Sequence, residues 1–268
     1  MQYRIGNLTL LASALLLATG AQAAATYGSL NTAAFAASAV GDWTDGVYFG
    51  SGNPNGNWTI ETVGNVEIGL RAKNRRTDVF IPVDGSSGTY MFDQGYCNPN
   101  CTGGLKAAWN YEFSANVRAD GTGQDDLTGY TVQVRVDTDN TAATAFTAWT
   151  TVTSNWGDNA YWDGVDLLGG NPALAADNES RRIGTGPAQA GEFGLQQSAN
   201  PLFANALFQP GFNVWTGGLY RIEMRILDTA GGVVADTGIN VGVVPEPASL
   251  ALVALALAGL GFASRRKA

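Results

Sequence analysis

Histidine is absent from the 268 residues. Its absence removes Ser-His-Asp and Cys-His nucleophilic catalysis, together with most zinc and non-haem iron sites. Basic side chains are scarce, 15 against 23 acidic ones, and a formal charge of −8 works against phosphate binding. Nucleic acid is thereby excluded as a partner. Only two cysteines occur. No internal repeat at a fixed period is visible, which argues against propellers and β-helices. Sustained helical periodicity is also missing between the two ends, apart from Leu30 to Val40, where alanines leave room for a short helix. What is present is apolar material: 45% of residues are hydrophobic and 10% aromatic, enough to offset the entropy of ordering a chain.

The apolar runs that do occur sit at the two ends. Residues 1–23 carry Arg4, an apolar run from Leu8 to Ala18, and then Ala21-Gln22-Ala23. This pattern predicts a secretory signal helix cut after Ala23 by signal peptidase, since the run is shorter than the roughly 20 residues a span needs. At the other end, Val244-Pro245-Glu246-Pro247 precedes sixteen uncharged residues, Ala248 to Ala263, followed by Ser264-Arg265-Arg266-Lys267-Ala268. As a helix the uncharged tract would reach about 24 Å, short of the roughly 30 Å hydrocarbon layer. Snorkelling of Arg265, Arg266 and Lys267 closes the gap and places these charges in the cytoplasm. Pro245 and Pro247 fix the helix start and leave an extended segment beside the membrane.

The order Pro-Glu-Pro, apolar helix, basic cluster resembles the PEP-CTERM sorting signal, over 244–268. The resemblance implies a Gram-negative bacterium that makes exopolysaccharide. It also implies processing by exosortase, a membrane-embedded enzyme resembling cysteine transpeptidases. Pro245, Glu246 and Pro247 would be the recognition element, and the helix would be removed or exchanged. The protein would then be secreted or held at the cell surface after a transient stay in the inner membrane. An ordinary C-terminal anchor behind a Pro-rich linker is the plain alternative.

Removing the four basic residues and one acidic residue of the two ends leaves 11 basic and 22 acidic side chains, a net charge of −11. In this middle section apolar and polar residues alternate with period two. The alternation is clearest over Val66 to Arg71, Trp109 to Asn116, Tyr130 to Asp137 and Tyr220 to Ile226. Less regular β-rich runs lie at 46–50, 57–62, 78–83, 88–92, 146–152 and 233–243, making about ten strands. With 35 glycines punctuating the chain, these predict a single extracellular domain over 24–243. Its fold class is all-β, a two-sheet antiparallel β-sandwich of jelly-roll or immunoglobulin-like type. Asn155 to Pro210 lacks alternation and reads as connective chain wrapping the sandwich. Within it, Gly191 to Phe208, with Gln196-Gln197-Ser198-Ala199-Asn200-Pro201-Leu202-Phe203, resembles the end of a recurrent PEP-CTERM-associated extracellular domain that has no activity to carry over.

Few constellations suggest chemistry. Cys97 and Cys101 enclose three residues; in an exported protein they are expected to form a disulfide, the competing thiolate metal site lacking further ligands. Asp137 and Asp139 are weak calcium candidates, with turn-forming Asp as the ordinary explanation, and no cofactor is required. Trp156, Asp158, Tyr161, Trp162 and Asp163 form the densest meeting of aromatic and polar groups, read either as a carbohydrate platform or as a plug at one end of the core. Any two of the 22 acidic residues could be nominated as a glycosidase pair, so the nomination carries no weight and no enzyme is expected. The sequons at Asn57 and Asn178 are assigned no modification. The expected function is that of an exported, exosortase-processed matrix or surface protein associated with exopolysaccharide in a biofilm. A carbohydrate-binding module is the alternative, and a secreted hydrolase comes third.

Overall fold

The computed structural model describes residues 25–31, 55–75, 84–97, 105–122, 125–141, 143–152, 159–162, 181–184, 187–203 and 207–244. Twelve strands form among them. They are β1 (Thr26–Gly28), β2 (Trp58–Val63), β3 (Val66–Asn74), β4 (Thr89–Asp93), β5 (Trp109–Asn116) and β6 (Tyr130–Val136), then β7 (Thr150–Thr151), β8 (Asn159–Trp162), β9 (Arg181–Gly184), β10 (Gly194–Ala199), β11 (Gly218–Asp228) and β12 (Val233–Val244). Sheet A runs β1-β2-β3-β5-β10-β8-β9, and sheet B runs β4-β12-β11-β6-β7.

The all-β, two-sheet architecture follows from the alternation. Ile68, Leu70, Phe113, Ala115 and Leu195 of sheet A meet Val132, Val134, Ile222, Met224, Ile239 and Val241 of sheet B in one buried core. Burial of each larger aliphatic or aromatic side chain contributes about 1.5–3 kcal/mol. The four most regular alternating runs became β3, β5, β6 and β11. The run at 57–62 became β2, that at 88–92 became β4 and that at 233–243 became β12. Register in the two long hairpins is set by their turns. Gly64, at φ 60°, lets Val63 pair with Val66, and Asp228 accepts from the N–H groups of Ala230 and Gly232 before β12 begins.

Several expectations need correction. Sheet B is mixed, because β4 pairs with β12 in parallel, Thr89 opposite Asn240 through Asp93 opposite Val244. Alternation reports which face a residue takes but not strand direction, and a long connection makes a parallel pairing possible. Asn155 to Pro210 is not mere wrapping: β8, β9 and β10 arise within it, and β10 pairs with β5 on one side and β8 on the other. The polar pairs Gln196-Gln197 and Ser198 hide its alternation. The run at 146–152 contracts to β7 plus an isolated bridge between Asp137 and Phe146. The stretch from Leu30 to Val40 lies outside the described residues beyond Asn31, as do 46–50, 78–83, the signal segment and the C-terminal apolar tract.

The two outer faces differ. On sheet B, Arg135, Glu223 and Arg221 form a half-buried ion ladder, the Glu223 carboxylate accepting from Arg135 Nε at 2.8 Å and Arg221 Nε at 2.7 Å. On sheet A the polar face is buried, and it is there that polar chemistry accumulates.

Candidate functional site

The alternation over Trp109 to Asn116 implies a half-buried strand, yet all eight residues of β5 are buried, and the same holds for Val66 to Lys73 of β3. The face opposite the core therefore carries Glu67, Arg71, Lys73, Asn110, Glu112, Ser114 and Asn116 out of solvent. Antiparallel register explains how such a face is tolerated, since Arg71 stands opposite Glu112 and Lys73 opposite Asn110. Arg71 Nε donates to Glu112 Oε2 at 2.7 Å, and Lys73 Nζ donates to Oε1 of the same carboxylate. Arg71 also lies over the Trp58 ring at 4.2 Å and donates to the Gly56 carbonyl at 2.9 Å. Burial pushes the Glu112 carboxyl upward, but Lys73 and Arg71 outweigh it and hold the group below its usual range. Burial also holds Lys73 below the usual lysine range, against the opposing pull of Glu112.

Amides extend this face toward β10. Gln196 Nε2 donates to Ser114 Oγ at 3.1 Å, Asn110 Nδ2 to Ser198 Oγ at 3.0 Å, and Asn200 Nδ2 to Asn110 Oδ1 at 2.7 Å. At the other margin, Glu67 accepts from the Asn31 N–H through both carboxylate oxygens, at 3.0 and 3.1 Å. Burial dominates there and raises its carboxyl from 4.5 to about 7. Within the face the Arg71 and Lys73 charges are met by Glu112, and these pairs with the amide bonds tie β2, β3, β5 and β10 together.

A second concentration of structure lies where β12 ends. Phe92 stacks on Trp109 with centroids 5.9 Å apart, and Phe208, Phe212 and Tyr220 meet one another and Trp109 at 5.5–6.5 Å. Above this cluster opens a cavity of about 310 Å³, bordered by Asn140, Asn213 and Thr216 over Phe208, Phe212 and Tyr220. Gln94 N–H donates to the Val244 carbonyl at 2.8 Å, and Gly95 N–H to the Val214 carbonyl at 2.6 Å. The chain is thus held by backbone pairing up to Val244, with Pro245 next in sequence.

A family model, the PEP-CTERM protein-sorting motif, matches residues 243–267. The C-terminal segment is a PEP-CTERM sorting signal. It marks an exported protein targeted to exosortase. No curated protein matches the chain. The match begins inside the fold, because Val243 is a buried residue of β12, one position before the expected boundary at 244. Among the described residues no helix is long and apolar enough to cross a membrane. Pro245, Glu246, Pro247, Arg265, Arg266 and Lys267 lie outside the described residues.

The other expected sites distribute unevenly. Cys97 is buried, and its N–H donates to the Lys106 carbonyl at 3.0 Å; Cys101 lies outside the described residues, among which no cysteine is free. Asp137 Oδ1 accepts from the N–H groups of Asp139 at 3.0 Å and Ala145 at 2.7 Å, while Asp139 Oδ1 accepts from Thr141 N–H at 2.8 Å. Both carboxylates therefore close turns. Tyr161 and Trp162 fall in β8, Tyr161 in register with Leu195 and Arg182, Trp162 with Gly194 and Arg181. Trp156, Asp158 and Asp163 lie outside the described residues. The buried ion cluster was not foreseen from the sequence, where Arg71, Lys73 and Glu112 hold the ordinary polar positions of alternating strands.

Proposed function

We propose that this exported protein is held at the inner membrane by its C-terminal apolar tract until exosortase cuts beyond Val244. The sandwich is then released, or linked outward, to associate with exopolysaccharide at the cell surface or in the matrix. The observation that carries the reading is the sorting motif at 243–267 running directly on from β12. A cut before Val243 would remove residues paired with both β4 and β11 and open sheet B. A cut within or after Pro245-Glu246-Pro247 leaves the domain whole. Signal peptidase acts first, after Ala23, and the processed chain contains the extracellular domain over 24–243. Cys97 and Cys101 form a disulfide in that exported form.

Intact mass of the extracellular protein tests the processing. The expected species begins at Ala24 and ends between Val244 and Ala248; a species outside the cell that still carries Arg265 to Ala268 overturns the reading. Incubation with a panel of polysaccharides, including that of the producing cell, tests the association. Retention without turnover supports it, turnover indicates a hydrolase, and neither leaves a structural role without polysaccharide.

A further inference from the structure

The end of the sandwich from which the sorting tail departs is unusually apolar on its surface. Among the described residues the large hydrophobic side chains most exposed are Met91 at 48%, Leu105 at 65%, Trp215 at 57%, Leu219 at 42%, Val233 at 54% and Val244 at 38%. All but Val233, which starts β12 at the opposite end, belong to the exit end. Met91 and Leu219 both stand opposite Gly242 on the two neighbours of β12, two residues before Val244 on the same face. Trp215 follows Val214, whose carbonyl is bonded to Gly95, next to the Gln94 that holds Val244. An Asn213 turn presents it, the Asn213 side chain accepting from the Trp215 N–H at 3.0 Å, and its ring meets Tyr96 edge-on at 5.8 Å. Leu105 precedes Lys106, whose carbonyl accepts from Cys97 in the loop continuing from Gly95. The charges nearby are Asp93, which follows Phe92 in β4, and Asp139, next to the Asn140 whose carbonyl accepts from Leu219. To these add Arg221, two residues after Leu219 on the same face, and Lys106 with Arg75, whose charge acts on it.

We propose that this exit end is a membrane-seating surface, with Trp215 at its centre, that rests in the headgroup layer of the outer leaflet while the tail is inserted. The proposal rests on the membrane-held stage of the function proposed above. Its argument is the length of chain that follows the fold. Four residue steps separate Val244 from Ala248, the first residue of the apolar tract. At most they cover about 14 Å, and the headgroup layer takes up roughly 5–8 Å of that. As a helix the sixteen-residue tract would reach about 24 Å, shorter than the hydrocarbon layer, and such a mismatch would draw its ends inward. The exit end is therefore held against the lipid within about one side chain's length. A domain of net charge −11 gains nothing from an anionic surface by attraction, so contact has to be made by neutral, interface-seeking groups. Tryptophan with flanking leucine, methionine and valine supplies them. Exosortase itself is the other occupant that the geometry admits, and the test separates the two.

The full chain is reconstituted in phosphatidylcholine vesicles containing lipid brominated in the upper acyl chain. Flotation reports tail insertion, and quenching of tryptophan fluorescence reports seating. Trp58 and Trp109 are buried and serve as internal references. The expected result is that Trp215→Phe still floats but loses roughly half or more of the quenching. Met91→Ser with Leu219→Ser is expected to float and to weaken quenching in a chain that retains Trp215. Flotation with equal quenching in native chain and Trp215→Phe overturns the seating surface and leaves the tail reading intact. If a photo-crosslinker at position 215 then traps exosortase in cells, the surface belongs to the enzyme. Failure of the native chain to float overturns the membrane-held stage and the seating with it.

Discussion

Glu67→Gln is expected to flatten the pH dependence of stability between pH 4.5 and pH 8. Glu67 is 5% exposed at the margin of the buried polar face, where hydrogen bonds from the Asn31 N–H and the Thr62 side chain only partly offset the cost of burial. In the unfolded chain its carboxyl titrates near 4.5, and in the folded protein near 7. Between these values the folded state holds a proton that the unfolded state has released. The associated stability is fully present below about pH 4.5 and is lost as pH rises through about 7. The loss amounts to about 3 kcal/mol, or roughly 6–12 °C in Tm for a domain of this size. Glutamine keeps an acceptor for Asn31 and cannot titrate. Thermal unfolding of both proteins across the range gives the difference curve, in which Glu61, Glu112 and Glu223 cancel because both proteins carry them. Parallel curves would show that Glu67 titrates alike in both states, and the reasoning from burial would fail.

Three other outcomes are expected. Glu112→Ala leaves Arg71 and Lys73 buried without their shared carboxylate and should cost about 3–5 kcal/mol in urea unfolding, whereas a loss below about 1 kcal/mol would mean that water reaches the cluster. Trp109→Ala removes the ring on which Phe92, Phe208, Phe212 and Tyr220 converge and should cost about 3–5 kcal/mol by the same assay, with near-neutral behaviour placing that ring outside the core. Reduction of the exported domain should free two thiols and lower stability by about 2 kcal/mol, the loop-entropy value for so short a ring; thiols already free before reduction would exclude the Cys97–Cys101 bridge.

Much of the fold was legible because burial on one face of a strand writes itself as alternation, as in Tyr130 to Val136 and Tyr220 to Ile226. β10 escaped because its two sheet faces both carry polar atoms: Gln196 faces Ser114, and Gln197 stands in register with Phe113. Burial of a polar residue depends on a partner supplied from far along the chain, and Arg71 and Glu112 are 41 residues apart. No local pattern can report such a pairing. The expectation of half-burial for β5 failed for that reason, not through a misjudged strand. The sorting tail was readable because it is linear: proline, apolar length and terminal charge act in sequence order, and no distant contact is needed to specify them. Trp215 lies between the two cases. Its turn, Asn213 to Thr216, is local, but its position beside the departing tail follows from the bonds of Gln94 to Val244 and Gly95 to Val214, just past the end of β4.

The place of β12 joins fold to sorting. It is the last described strand before the motif, yet it lies inside sheet B, between β4 in parallel and β11 antiparallel. Its buried side chains, Ala235, Ile239, Val241 and Val243, meet the core from within that sheet. Sheet B is therefore incomplete until the chain immediately ahead of the Pro-Glu-Pro motif has been delivered, and completing it draws that motif to the rim of the sandwich. Residues before Val244 are withdrawn into the hydrogen-bonded ladder, where a processing enzyme that binds extended chain cannot reach them without unzipping two strand pairs. Pro245, next in sequence, has no N–H to donate to such a ladder. The fold thus withdraws backbone up to Val244 from an enzyme that binds extended chain, so the domain itself sets the inner limit of where it can be cut.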